Sequence, residues 1–211
     1  MMFLNAQGKP ILQAMVRGIQ ENKAYLGEVD GLIGDGDHGM NMNKGFTMFD
    51  RRHEEDYTFT EGLEELAMVL MGEIGGSMGP IYGTIFTEMA DAAGESENIT
   101  AGLFAKMLRA GLDGLYGIVD ARVGDKTLVD VLAPACDALE GALDDGKNFL
   151  EALEVMKNAA QAGRDATIDM AAKYGRSSRL GERSKGVLDA GATSCCILLC
   201  AMADAIAALI S

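Results

Sequence analysis

Apolar residues recur every three or four positions along most of this chain, and glycine, proline or polar clusters interrupt the pattern at intervals. In the first such stretch Ile11, Leu12, Met15, Ile19 and Leu26 fall on one side, while Arg17, Glu21 and Lys23 lie elsewhere. Spacing and breakers together predict eight helices, at about 9–27, 38–54, 60–74, 79–93, 101–118, 126–142, 148–174 and 190–210. No segment alternates strongly enough to be read as a strand. The expected fold class is therefore all-α.

Short connections make successive helices antiparallel, giving an up-and-down bundle. Its first, third, fifth and seventh connections then share one end: "GEVDGLIGD", "GGSM", "VDARVGD" and "YGRSSRLGERSKGVLD". The connections near 55–59, 94–100 and 143–147 are ordinary polar turns. The same topology aims the N-termini of the second, fourth, sixth and eighth helices at the unusual end, where unpaired N–H groups and dipoles favour anions. Pro80 suits a first helical turn, and Gly75, Gly76, Gly79 and Gly83 would let backbone approach a ligand, although helix packing explains Gly83 as simply.

The chain has 211 residues, a length that suits one domain spanning 1–211, and its net charge of −14 argues against a nucleic-acid partner. Aromatics are few and tryptophan is absent, which favours helix over sheet. Cys136, Cys195, Cys196 and Cys200 have no zinc-like spacing and read as reduced, buried thiols of a cytoplasmic protein. The start has no basic-then-apolar signal, and the apolar run at 195–210 is interrupted by Asp204. It falls short of the ~18 residues a membrane span needs and reads as a buried helix. No membrane partner is expected.

Against this background the segment "DGLIGDGDHGMNMNKGF" concentrates Asp30, Asp35 and Asp37 on a glycine-rich turn. An EF-hand beginning at Asp35 would need glycine and an acid where Met40 and Phe46 stand. A Walker loop fails because Lys44 precedes Gly45. An acidic helix cap is the plainer alternative. Three converging carboxylates also suit Mg²⁺, a hard cation that shares its shell with phosphates, and two such ions would offset their repulsion.

In "KYGRSSRLGERSKG" five basic side chains (Lys173, Arg176, Arg179, Arg183, Lys185) stand against Glu182 alone, at the same end as the aspartates. A solvated loop would look alike, but arginine forks match phosphate oxygens. "VGDKTLVD" reads either as a helix start, with Asp125 capping and Lys126 and Asp130 exposed, or as a segment presenting Thr127 and Leu128 to the mouth. His53 reads as a surface residue, whereas His38 begins a helix beside Asp37, where its imidazole could meet a phosphate or a base.

Four ordered blocks, "IGDGDHGMNMNKGF", "GPIYGTIF", "GDKTLVDV" and "GRSSRLGERSKGVLDAGATS", closely resemble the nucleotide-binding L-subunit family of dihydroxyacetone kinases over nearly the whole chain. The resemblance implies an eight-helix up-and-down barrel that holds ADP or ATP through two Mg²⁺ ions at one end. Asp30, Asp35 and Asp37 match the metal ligands. His38, Gly39, Met40 and Asn41 match phosphate-side contacts, and Ser77 and Met78 match the glycine-rich turn. Leu128 matches the adenine pocket, Arg176 a nucleotide-contacting and charge-neutralising arginine, and Asp189, Ala190 and Gly191 the last nucleotide loop. The chain departs from the usual pattern at Met78, Leu128 and Ala190, none of them a metal ligand.

In family members of about this length the module is a free subunit of a bacterial phosphotransferase-system enzyme. There the resemblance implies ADP that stays bound and is rephosphorylated by a phosphohistidine donor, the M subunit. The γ-phosphoryl then passes to dihydroxyacetone, or a related ketose, on a sugar-binding K subunit. The alternatives are a module fed by free ATP for another sugar or carrier-bound substrate, and a non-catalytic regulator that binds a transcription factor. The oligomeric state is left open, a homodimer included.

Overall fold

The computed structural model describes residues 1–52 and 56–211. Among them run nine α-helices: α1 (Lys9–Glu21), α2 (Lys23–Ile33), α3 (His38–Arg52), α4 (Phe59–Glu73), α5 (Met78–Ala93), α6 (Ala101–Ile118), α7 (Val129–Asp144), α8 (Phe149–Ala166) and α9 (Ala190–Ile210). From α3 to α9 each helix packs on its sequence neighbours, and α9 returns to α1 and α2. The staves thus form the all-α up-and-down bundle that the pattern predicts, closed into the barrel that the family resemblance implies. His53 and the expected end of the second helix lie outside the described residues.

The first predicted helix is two, because Asn22 (φ −98°, ψ 9°) leaves helical geometry and its side-chain amide donates to the Gly18 carbonyl at 2.8 Å. The apolar spacing hides this break: Ile19 and Leu26 stand two helical turns apart and both are buried. α2 also runs on to Ile33, so Asp30 sits on its last turn rather than in a loop. A two-stranded antiparallel ribbon, β1 (Met2–Leu4) and β2 (Asn98–Thr100), corrects the strand-free reading. Its strands are too short to show alternation.

The barrel interior is filled by side chains such as Phe46, Phe49, Phe59, Phe104 and Phe149. Burying each contributes about 1.5–3 kcal/mol. α9 is long and apolar enough to cross a membrane by length and composition, and it packs against α1, α2, α7 and α8. Between α6 and α7, Arg109 donates to Glu140 at 2.9 and 2.5 Å and to Asp137 at 2.6 Å.

Most helices that start at the end away from the four unusual connections are capped by side chains, α1 at Gly8 being the exception. Thr58, Thr100 and Asn148 each cap the helix that follows (α4, α6, α8), and the first and last do so as reciprocal boxes with Glu61 and Glu151. At the opposite end the Asp189 side chain caps α9 and Thr127 Oγ1 accepts the Val129 N–H of α7 at 3.2 Å, whereas α5 begins at Ser77 with no side-chain cap. The first N–H groups of α5 are left to other partners.

α2 and α3 approach closely at Gly39, where an added Cβ would overlap the Lys23 carbonyl oxygen and come within 2.7 Å of the Gly27 nitrogen. Both obstacles are backbone and cannot swing away. Gly39→Ala is therefore expected to lower unfolding stability by about 1–3 kcal/mol. A urea midpoint equal to the parent's would show that the two helices have slack there.

Candidate functional site

All four connections at the end where α5 begins contribute to one cleft of about 620 Å³. Its acidic wall is built by glycine. Gly34 ends α2 at φ −119°, ψ −148°, and a Cβ there would collide with Asp30 Oδ1. Gly36 follows at φ +76°, a left-handed conformation that glycine tolerates best. The chain consequently doubles back and sets Asp35 and Asp37 beside Asp30, with one oxygen from each lying within 4.8 Å of the others. Three hard oxygen donors at this separation fit a divalent cation such as Mg²⁺ with coordination positions left for phosphate oxygens. The His38 N–H donates to Asp30 Oδ2 at 3.3 Å, and the Arg176 guanidinium pairs with Asp35.

Next to the carboxylates, His38 lies on a buried polar relay. Its Nε2 is 2.9 Å from Ser194 Oγ, which is 2.7 Å from the Tyr82 hydroxyl and 3.1 Å from the Gly191 carbonyl. Burial pushes the His38 imidazole down to about 4, with Asp30 pulling the other way, so it is neutral near pH 7. The relay links the starts of α3, α5 and α9. Nothing in the sequence pattern pairs Tyr82 with Ser194, because the contact spans 112 positions.

Asn41, Gly75, Gly76, Ser77 and Met78 also line the cleft, and so do Leu128, Asp189, Ala190 and Gly191. Gly39 and Met40 do not: the first is wedged against α2, and the second is 58% exposed. Gly79 and Gly83 serve helix packing, since a Cβ on either would clash with α4. Val119, Ala121, Ile81 and Leu128 supply an apolar side, suited to the flat face of a ring.

That side is held by two residues whose expected exposure the structure corrects. Lys126 and Asp130 are each 1% exposed. Asp130 accepts the Gly124 and Thr127 N–H groups at 2.5 and 2.7 Å, which shapes the turn and delays α7 to Val129. The Thr127-x-x-Asp130 spacing is a capping-box pattern and was the available signal. Lys126 donates to the Thr167 and Val187 carbonyls, both at 2.6 Å. The basic segment is a short 3-10 stretch, Arg176–Ser184, kinked at Gly181. The buried Ser184 hydroxyl holds it through the Ala172 N–H and the Gly181 carbonyl.

A DAK2 domain model matches residues 32–204, and the chain belongs to that family. It is 37% identical over 186 residues to the ADP-binding subunit DhaL of PEP-dependent dihydroxyacetone kinase 1 of Listeria innocua, covering 87% of this chain and 88% of that one. It is 38% identical over 191 residues to the ADP-binding subunit DhaL of the PTS-dependent dihydroxyacetone kinase of Lactococcus lactis, covering 90% and 91%. The dihydroxyacetone kinase of C. freundii shares the fold with a TM-score of 0.73 at 23% identity. That likeness covers 95% of this chain and 34% of the kinase, so the chain spans about a third of it.

Asp189 caps α9 through the Ala192 N–H at 2.7 Å, and burial raises its carboxyl from 3.8 to about 6, against the pull of that N–H and of Lys126. A carboxyl raised on folding binds its proton more tightly in the folded state. Its contribution to stability is thus full below about pH 4 and is lost as pH rises through about 6. Asn caps equally well and does not titrate. Urea unfolding of Asp189→Asn should show the variant gaining on the parent between pH 4 and 6. Parallel profiles would place the carboxyl at its ordinary value.

Proposed function

We propose that this chain is the ADP/ATP-holding subunit of a phosphoenolpyruvate-dependent dihydroxyacetone kinase, with residues 1–211 forming one cytoplasmic nucleotide-binding domain. The observation that carries the reading is the meeting, in one cleft, of three carboxylates with the start of an uncapped helix and a basic loop. Two relatives of matching length bear the name of an ADP-binding subunit of such an enzyme, which supports the same assignment.

In this reading Asp30, Asp35 and Asp37 hold Mg²⁺, two ions being the expected number. Magnesium would neutralise phosphate charge and fix the phosphates' geometry. Phosphoryl transfer needs mainly positioning and charge stabilisation, and the chain's own groups provide both. Ser77, Gly76 and the start of α5 offer N–H donors to phosphate oxygens. Arg176, which pairs with Asp35, would neutralise charge on the transferring group, which makes it the catalytic residue. His38 stays neutral and, fixed by Ser194, presents its ring without adding charge. Leu128 covers the base, and Asp189, Ala190 and Gly191 close the last side. The cleft residues would hold ADP as the acceptor for a phosphoryl group from the phosphohistidine of an M-type subunit. They would then hold the resulting triphosphate for transfer to dihydroxyacetone, or a related ketose, on a K-type subunit.

With both partners present, phosphoenolpyruvate and its phosphohistidine cascade should drive ketose phosphorylation far faster than free ATP does. Arg176→Ala should slow that turnover by ~100–1,000-fold without altering sugar binding by the partner. Equal rates from ATP and from the cascade would replace this reading with an ATP-fed kinase. Full activity of the variant would remove Arg176 from the chemistry.

A further inference from the structure

We infer that Lys126 is a positioning residue whose buried ammonium clamps the two stems of the basic loop and so sets where Arg176 stands over the cleft. The inference rests on the nucleotide-site reading above. Among the described residues Lys126 is the sole non-glycine with positive φ, at 60°. For a residue with a Cβ that conformation costs roughly 1–2 kcal/mol. It persists only where surrounding contacts over-determine it.

Those contacts are specific. The Lys126 ammonium reaches two carbonyls, Thr167 and Val187, which lie just before and just after the segment that carries Arg176. One cation thereby fixes the span across which the loop closes. A neighbouring bond, Gly186 N–H to the Ile168 carbonyl at 2.7 Å, keeps the same stems together but ties them only to each other. Lys126 alone among these groups comes from the 119–128 turn, whose next residues, Thr127 and Leu128, line the apolar side of the cleft. The flanking contact repeats the link, because Lys173 pairs with Asp125 at 2.5 Å and donates its N–H to the Asp125 carbonyl at 3.1 Å. The apolar and phosphate sides of the site are thus registered against one another through this turn.

The bland alternative is a cation that merely balances buried acids, since Asp189, Asp130 and Asp169 are near enough to act on its charge. A methionine would fill the same space without the cost of burying an ammonium. The two readings separate by coupling. A general structural cation supports the whole barrel, whereas a clamp acts on nucleotide through Arg176.

The test is the release rate of a fluorescent methylanthraniloyl-ADP with Mg²⁺ from four full-length proteins: parent, Lys126→Met, Arg176→Ala and the double variant. Lys126→Met should speed release by ~10–100-fold in the parent background, as loss of a supporting shell around a metal site does. In the Arg176→Ala background the same change should shrink to within about 2-fold, the signature of two residues acting through one contact. Equal acceleration in both backgrounds, or none in either, overturns the clamp. If Lys126→Met does not fold, Lys126→Gln, which keeps donors but not charge, is read by the same two criteria. A parent that binds no Mg–ADP would sink the functional reading instead. The clamp would then be judged by amide hydrogen exchange of the nucleotide-free chain. Faster exchange across Arg176–Ser184 with α5 unchanged supports it, and uniform or unchanged exchange overturns it.

Discussion

Three carboxylates with oxygens inside 4.8 Å of one another repel, and much of the surrounding structure is organised around that repulsion. Asp30 is the least favourably placed, on the last turn of α2, where the helix dipole presents its negative pole. Asp37 sits oppositely, at the entry to α3, where the pole is positive. The turn between them can be this tight only because Gly34 and Gly36 lack side chains that would strike Asp30 or strain the backbone. Folding thus spends stability to create a point of concentrated negative charge. Arg176 on Asp35 and the His38 N–H on Asp30 offset part of the cost, and a divalent cation would offset the rest.

Helix starts are finished where no ligand is needed. Thr58, Thr100 and Asn148 cap α4, α6 and α8 at the far end, and Asp189 caps α9 beside the cleft. At the cleft end, α5 starts bare beside Gly75 and Gly76, whose surroundings are empty within 4 Å of any added Cβ. Unpaired donors next to acceptor-only carboxylates make sense when a third component carries both metal-binding oxygens and hydrogen-bond acceptors. A phosphate does. The His38–Ser194–Tyr82 relay and the Lys126 contacts then hold the walls in register.

The helical staves were legible because each buries one face, and their alternation alone sorted the chemically unusual connections onto one end. Asp30, Asp35 and Asp37 and the basic segment 173–186 could be singled out as local charge anomalies, Arg176 within that segment only through the family resemblance, and the structure brings these four residues to one cleft. The break at Asn22 was hidden because the apolar spacing continues across it. The β1–β2 ribbon was hidden because its signal is a pairing between distant triplets. Lys126 and Asp130 read as exposed because charge normally is. The burial of Lys126 depends on a left-handed turn and on carbonyls some forty and sixty residues away, and that of Asp130 on the N–H groups of the turn it closes. Gly39 and Met40, carried over by motif, are not among the residues lining the cleft: Gly39 packs against α2 and Met40 is exposed.

The central claim is that nucleotide binds through a cation held by the acidic turn, and calorimetric titration of ADP with and without Mg²⁺ tests it most directly. The account predicts tight binding with Mg²⁺, loss of most affinity in excess chelator, and a much weakened Mg²⁺ dependence in Asp37→Asn, which keeps shape but removes a ligand charge. Equal ADP affinity in Mg²⁺ and in chelator, with Asp37→Asn indistinguishable from the parent, would contradict it.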